Sequence, residues 1–177
     1  MSGAAGGSVS GSGASGGGAL AAHPFYAAAA ATPELVAWWD ASFTPTVFAA
    51  GQAPARVKML LRLRLEALHG VRYPGLGDPA AAGITPEEAA AIGGPLESVP
   101  VSAAERAVLA LGDEMALVNM EGYLSDELYG RLAAHYSDGA IFELGQTMAI
   151  LVGFAKFLRV WGIPGLTPGA APVAPGA

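Results

Sequence analysis

The feature that most constrains this sequence is a signal for the start of an α-helix that occurs repeatedly along it. In each case a Ser or Thr is followed within three positions by an acidic residue, and two of the five signals also have Pro directly after the hydroxyl residue. The hydroxyl oxygen can accept a hydrogen bond from a first-turn N–H group that has no partner within the helix. The predicted starts are at Thr32, Thr85, Ser102, Ser125 and Ser137. No segment alternates apolar and polar residues over a useful length, so the sequence predicts an all-α fold.

Two of the predicted helices are long. The second covers about residues 54–70, and its apolar residues span an arc wide enough for a largely buried helix. The last runs from about residue 138 to residue 161, with apolar side chains at spacings of three or four, and stops at Gly162. Between the second helix and the Thr85 start, residues 71–79 contain two prolines and two glycines, which predicts a loop or a broken turn.

The two ends of the chain differ from its middle in composition. Residues 1–31 are mostly Gly, Ala and Ser, and residues 164–177 are mostly Pro, Gly and Ala. Such stretches bury too little apolar surface to offset the entropy lost on ordering, so we expect both tails to be disordered. Residues 32–163 remain, about 130 residues, which is enough for one domain with a single core.

Charge and cysteine content exclude several classes of function. The net charge is −6 with only 9 Lys and Arg, so the basic surface that binds a phosphate backbone is missing and no nucleic-acid partner is expected. The sequence has no cysteine, which excludes disulfides, thiolate metal ligands and thiol peroxidase chemistry. The three histidines are scattered without metal-ligand spacing, so neither a metal site nor another cofactor is expected.

Localisation is predicted from the absence of two signals. The Gly/Ser/Ala start has neither the basic nor the bulky apolar region of a secretory signal, which predicts a cytoplasmic protein. The longest uncharged stretch in the last helix, residues 144–155, has 12 residues, whereas a membrane span needs about 20, so no membrane partner is expected. The mean hydropathy of +0.43 leaves room for a buried interface between subunits.

One group of polar residues on the second helix is a candidate for proton transfer. Arg62, Glu66, His69 and Tyr73 follow one another at spacings of four, three and four, so a helix continuing to Tyr73 would align them on one face. A His and a Tyr beside a carboxylate and a guanidinium would suit acid–base work on an anionic or enolic substrate. The alternative is a structural polar stripe in which Arg62 pairs with Glu66 and the helix ends at Gly70, before Tyr73.

The ordered segments, taken in sequence, resemble the carboxymuconolactone decarboxylase family, whose helical domain is shared with the alkylhydroperoxidase D-like proteins. The matching segments are TPELVAWW, ARVKMLLRLRLEALHG, AAAGITPEEAAAI, VSAAERAVLALGDEM and the stretch from SDELYG to VWGI. The resemblance covers about residues 32–163. It implies a domain of about six helices that assembles into homo-oligomers.

The resemblance also implies where a site would lie, and the sequence departs from the family there. The family places two cysteines after the Gly of the second helix, and Val71 and Pro74 stand at those positions, while the Tyr between them is kept as Tyr73. The family's His falls on Asp78 and its Glu on Met59, with about three residues deleted before Gly83. Peroxidase activity is therefore not expected.

Two hypotheses for function follow. The first is a cofactor-free lyase or isomerase that transfers protons on a small cyclic carbonyl or lactone compound. His69 and Tyr73 would be its catalytic residues, and the substrate-binding candidates are Arg62, Glu66, Arg72, Trp39, Met59 and Asp78. The second hypothesis is a catalytically inactive relative that acts as a binding or assembly module, since both cysteines, the His and the Glu of the family are replaced.

Overall fold

A computed structural model describes residues 27, 29–49, 51–75 and 77–162. Within these residues the chain is all α-helical, with no strand, as the sequence predicts. Almost all of the two predicted disordered tails, residues 1–31 and 164–177, lies outside the described residues.

The first helical stretch consists of three contiguous parts, which together we call α1. They are an α-helix over Pro33–Trp38, a π-helical turn over Trp39–Phe43 and an α-helix over Thr44–Phe48. Pro33 occupies the first turn, where a missing N–H costs nothing. The predicted start at Thr32 is confirmed, although the Thr32 hydroxyl donates to the carbonyl of Ala29 at 3.1 Å and does not cap the helix.

Helix α2 (Ala55–His69) forms the centre of the fold. Eleven of its 15 residues are buried, which confirms the predicted buried helix. The helix ends because Gly70 has a φ of 62°, a left-handed conformation that glycine adopts without strain. The described residues that follow it, 71–75 and 77–79, are non-helical, as the prolines and glycines there predict, and a short 3₁₀ turn comes next at Ala80–Ala82.

Four more helices complete the domain: α3 (Pro86–Ala91), α4 (Ala103–Met115), α5 (Asp126–Ala133) and α6 (Asp138–Trp161). A second 3₁₀ turn, Leu96–Ser98, lies between α3 and α4. Each of the four is capped by the predicted hydroxyl, and the caps of α3 and α4 are capping boxes closed by Glu88 and Glu105. The predicted starts of these helices and the end of α6 at Gly162 are confirmed.

The core has two parts on different sides of α2. In the larger part, Leu61 and Leu65 of α2 contact buried residues of α4 and α6, such as Leu111 and Leu144. In the smaller part, Leu60 and Leu63 lie among apolar residues of α3, the second 3₁₀ turn and α4. Since α2 contributes to both parts, it connects them.

Charged side chains of α2 link it to the surrounding helices. Arg64 binds Asp113 of α4 through two hydrogen bonds of 2.7 and 2.8 Å and also donates to the carbonyls of Ile92 and Gly94. Lys58, whose residue is 0% exposed, pairs with Glu143 of α6. Buried polar and charged groups need such partners in place of water. The apolar pattern of α2 did not reveal that these cations would be buried.

Helix α6 has an outward apolar face in addition to its buried one. The inward residues of the predicted row, Ile141 to Leu158, are buried, whereas Trp161 at its end is 66% exposed. Among the described residues, α6 is the one helix long and apolar enough to cross a membrane by length and composition, and 39% of its most apolar window is buried in the domain. A core helix of a soluble protein meets the same two criteria.

Candidate functional site

The predicted catalytic pair lies where the chain turns at the end of α2. After Gly70, the N–H of Val71 donates to the Glu66 carbonyl at 3.1 Å, and the N–H of Tyr73 donates to Glu66 Oε1 at 2.9 Å. This turn brings the Tyr73 side chain back beside His69, although the helix does not continue to Tyr73. The helical alignment that suggested the group is therefore absent, but the two side chains are neighbours.

His69 is 1% exposed and its ring nitrogens contact protein groups on both sides. Its Nε2 accepts a hydrogen bond from the Leu117 N–H at 3.0 Å, which assigns the neutral-ring proton to Nδ1. Nδ1 lies 3.5 Å from the Tyr73 hydroxyl, at the outer limit of a hydrogen bond. Burial and the positive charge of Arg159 hold the pKa of His69 below its ordinary 6.5, so the ring is neutral at pH 7.

Tyr73 is also hydrogen-bonded to a backbone group. Its hydroxyl donates to the carbonyl of Leu151 in α6 at 2.9 Å. Burial, helped by the negative charge of Glu66, raises the pKa of Tyr73 well above its ordinary value of 10. His69 and Tyr73 therefore connect the end of α2 to the segment after α4 and to α6, and both are neutral near pH 7.

Three of the predicted substrate-binding residues form a cluster with this pair. The Glu66 carboxylate is buried and accepts from the backbone of Tyr73, with Arg62 Nε at 3.4 Å and Arg72 Nη1 at 3.2 Å. Arg62 also donates to the Gly77 carbonyl at 2.9 Å. These contacts match the structural alternative for this group, in which Arg62 pairs with Glu66 and α2 ends at Gly70.

The other three predicted residues lie around the cluster. Met59 is buried in the smaller core, close to the backbone of Gly77. Asp78 is exposed and accepts from the Ala80 N–H at 3.0 Å, which stabilises the first 3₁₀ turn. Trp39 is 6% exposed and stacks on Phe154, which in turn stacks on Tyr73.

A cavity of about 320 Å³ opens beside this cluster, between α2 and α3. Glu66 and Arg72 line it together with small apolar residues such as Ala67 and Gly93. Among the described residues that form its wall, neither His69 nor Tyr73 is present. The two acid–base candidates are thus not exposed to the space that a substrate near Glu66 would occupy.

A larger cleft, of about 710 Å³, lies on another side of the domain. The end of α4, the segment after it, α5 and the outward face of α6 form its walls. Most of its lining is apolar, including Leu111, Met115, Leu124, Ile141, Phe142 and Ile150. This volume falls within the range of small-molecule sites, about 300–1,000 Å³. The apolar spacing of α6 predicts its inward row and carries no signal of this cleft.

One wall of the cleft depends on a glycine. Gly122 approaches the end of α4 so closely that a Cβ atom there would lie 1.8 Å from the Glu114 carbonyl oxygen. The Tyr123 N–H and the Asn119 side chain both donate to Glu114 Oε2, at 3.3 and 3.1 Å. These contacts hold residues 119–123 against α4.

Comparison with protein-family models gives no match, and comparison with curated proteins gives no significant one. Metal-binding geometry is also not found in the described part of the chain, where no three His, Asp or Glu side chains are grouped to hold an ion. Assignment to the carboxymuconolactone decarboxylase family therefore rests on the sequence segments and stays a prediction.

Proposed function

We propose that this chain is a carboxymuconolactone decarboxylase-like protein whose helical domain serves as a binding module for a small ligand in the large cleft. This is the second of the two hypotheses drawn from the sequence. The observation that carries it is the separation of the cleft from His69 and Tyr73, whose polar atoms are engaged by protein partners.

The hydrogen bonds that His69 and Tyr73 already make to protein groups weigh against acid–base catalysis by this pair. A general acid or base must lie within hydrogen-bond reach of the substrate proton, directly or through one water. His69 Nε2 is occupied by the Leu117 N–H, and the Tyr73 proton by the Leu151 carbonyl. Removing either partner to admit a substrate would leave a buried backbone group without a hydrogen bond, which costs about 1–3 kcal/mol.

The enzyme hypothesis keeps one supporting observation, the smaller cavity lined by Glu66 and Arg72. A carboxylate beside a guanidinium at a cavity wall is suited to a small anionic substrate. If a lactone or cyclic carbonyl compound is converted and the His69→Gln and Tyr73→Phe variants both lose that activity, the enzyme hypothesis is correct and the binding-module proposal is wrong.

Homo-oligomerisation in the cytoplasm is part of the same proposal. Leu35 and Trp38 of α1 and Val160 and Trp161 of α6 are large apolar side chains that are exposed in the single chain. Exposed apolar residues of this size are typical of surfaces that contact another protein. The family resemblance favours a second copy of the same chain as the partner.

The binding proposal is tested by screening small apolar compounds against the ¹⁵N-labelled full chain by NMR. We expect binders to shift the amide signals of residues 122–124 and 141–150. Gly145→Leu should abolish binding, because Gly145 lines the cleft and a Cβ there meets no atom within 4 Å, so the longer side chain enters the open space. Gly153→Leu is the matched control, since Gly153 is equally unobstructed on α6 and is not among the residues that line the cleft.

Two outcomes of this experiment would contradict the proposal. Signals that shift at Glu66, Arg72 and Gly93, with Gly145→Leu unaffected, would place the ligand in the smaller cavity. A screen without any binder to the folded chain would remove the support for a ligand-binding role.

A further inference from the structure

The charges around the large cleft are of one sign. Glu114 and Asp138 are the only ionisable acids or bases, apart from tyrosines, among the described residues that line it. Lys, Arg and His do not occur in that lining. The chain as a whole carries a net charge of −6, which adds a negative potential at long range. An apolar cleft with two carboxylates at its wall therefore favours a ligand of opposite charge.

Among the described residues, each of the two carboxylates accepts hydrogen bonds through one of its oxygens. Asp138 Oδ1 accepts from the Tyr129 hydroxyl at 2.7 Å, and Glu114 Oε2 accepts from Asn119 and from the backbone of Tyr123. A carboxylate has about four acceptor positions, so these contacts orient each group without exhausting it. Oriented carboxylates bind an ammonium group without first losing much side-chain entropy.

Two tyrosines add a second interaction that favours a cation. Tyr123 and Tyr129 both line the cleft, and their exposed fractions are 72% and 39%. The face of an aromatic ring attracts a positive charge, by about 0.5–1 kcal/mol at an exposed site. The hydroxyl of Tyr129 donates to Asp138, so the Tyr129 ring and the Asp138 carboxylate lie together in the wall of the cleft.

We propose that the cleft binds an organic cation with a hydrophobic body, such as a primary alkyl or aryl amine. The ammonium group pairs with one of the two carboxylates, Glu114 or Asp138, and the apolar body lies against Phe142, Leu124 and Ile150. This inference rests on the proposed function, because it names the class of ligand that the cleft takes. The two carboxylates repel an anionic amphiphile with the same hydrophobic body, so such a compound is excluded. A neutral amphiphile with that body lacks the ionic contact and binds less tightly than the cation.

The experiment compares three ligands with the same ten-carbon chain, decylamine, 1-decanol and decanoate, by isothermal titration calorimetry at pH 7 below their aggregation concentrations. We expect decylamine to bind at least about fivefold more tightly than decanol, a difference of about 1 kcal/mol for a partly exposed ion pair. Decanoate should not bind measurably. The preference for decylamine should shrink at 1 M NaCl, where exposed charges are screened.

Variants assign the preference to the two carboxylates. Glu114→Gln and Asp138→Asn keep the shape of each side chain and one acceptor oxygen but remove its charge. The double variant should lose most of the preference for decylamine over decanol and keep only the part that the tyrosine rings contribute. Glu121→Gln is the control, because Glu121 is exposed on the same segment and is not among the lining residues. It removes the same charge and should leave the preference unchanged.

The outcomes separate the two proposals. If decanol binds as tightly as decylamine and Gly145→Leu abolishes both, the cleft is a ligand site but the inference of a cationic ligand is overturned. If neither compound binds, the ligand-binding function itself is overturned as well. If Gly145→Leu changes only the mass of the assembly, the cleft is a contact between copies.

Discussion

Single buried polar residues hold the turn after α2 in place. His69 and Tyr73 connect that turn to backbone groups that are distant in the sequence, and Glu66 accepts from the backbone of the turn itself. These hydrogen bonds satisfy polar atoms that would otherwise be buried without partners. Because such atoms are expensive to leave unpaired, the main contribution of these residues is to the stability of the domain.

We predict that His69→Ala lowers the free energy of unfolding by about 2–4 kcal/mol, since it leaves the Leu117 N–H without its acceptor and creates a cavity in a packed core. Urea unfolding followed by circular dichroism at pH 7.5 measures the change. His135→Ala is the matched control, because His135 is exposed and its loss should change stability by no more than about 0.5 kcal/mol. Equal effects of the two substitutions would show that His69 is not a structural residue.

The lowered pKa of His69 predicts a pH dependence of stability. The folded pKa lies below the ordinary 6.5, so the unfolded chain takes up the proton first as the pH falls. The contribution of His69 is therefore complete above pH 6.5 and is lost progressively below it, until the folded pKa is reached, with a slope of at most about 1.4 kcal/mol per pH unit. Urea unfolding of the parent chain and His69→Gln between pH 7.5 and 5 measures this slope, which should be smaller in the variant. Parallel curves would contradict the shift.

At the scale of helices and loops, the features that could be predicted from the sequence are local. The caps at Thr85, Ser102 and Ser125 depend on residues three positions apart, and the ends of α2 and α6 depend on one glycine each. Each of these signals lies within about one helical turn of sequence, which is why these helix boundaries agree with the predicted ones.

The site could not be predicted in the same way because its contacts are distant in sequence. His69 binds the backbone of a residue 48 positions away, and Tyr73 one 78 positions away. Backbone groups carry no side-chain signal, so the sequence could show that His69 and Tyr73 are close but not that protein groups engage them. The cleft also could not be predicted from the sequence, because its wall depends on how residues 122–124 fold back onto α4.

We predict that Gly122→Ala disrupts this wall. The added Cβ would overlap the Glu114 carbonyl oxygen, so the segment must move away from α4, at a cost of about 1–3 kcal/mol. The same NMR titration should then show weaker ligand binding. Gly130→Ala in α5 is the control, because a Cβ there meets no atom within 4 Å and alanine is the better helix former by about 1 kcal/mol. A Gly122→Ala variant with unchanged stability and binding would mean that the close approach is not required.

At the scale of the whole molecule, two groups of exposed apolar residues have different expected roles. Phe142, Leu124 and Tyr129 line the cleft and belong to the ligand proposal, whereas Val160 and Trp161 are at the far end of α6 and do not occur in the described lining. If the second group is a subunit contact, ligand binding and assembly can be changed separately.

We predict that the full chain, whose mass is 17.7 kDa, runs as an oligomer in light scattering and that Val160→Glu/Trp161→Glu converts it to a monomer. Placing two carboxylates in an apolar interface costs several kcal/mol, which exceeds what most subunit contacts of moderate area can offset. Phe142→Glu is the control, because it adds a carboxylate to the exposed apolar surface of the same helix but within the cleft. It should weaken binding of the neutral ligand decanol, which loses an apolar contact, without changing the mass. If instead Phe142→Glu releases monomers while Val160→Glu/Trp161→Glu does not, the cleft is the subunit interface, and the assembled protein buries the surface assigned here to a ligand.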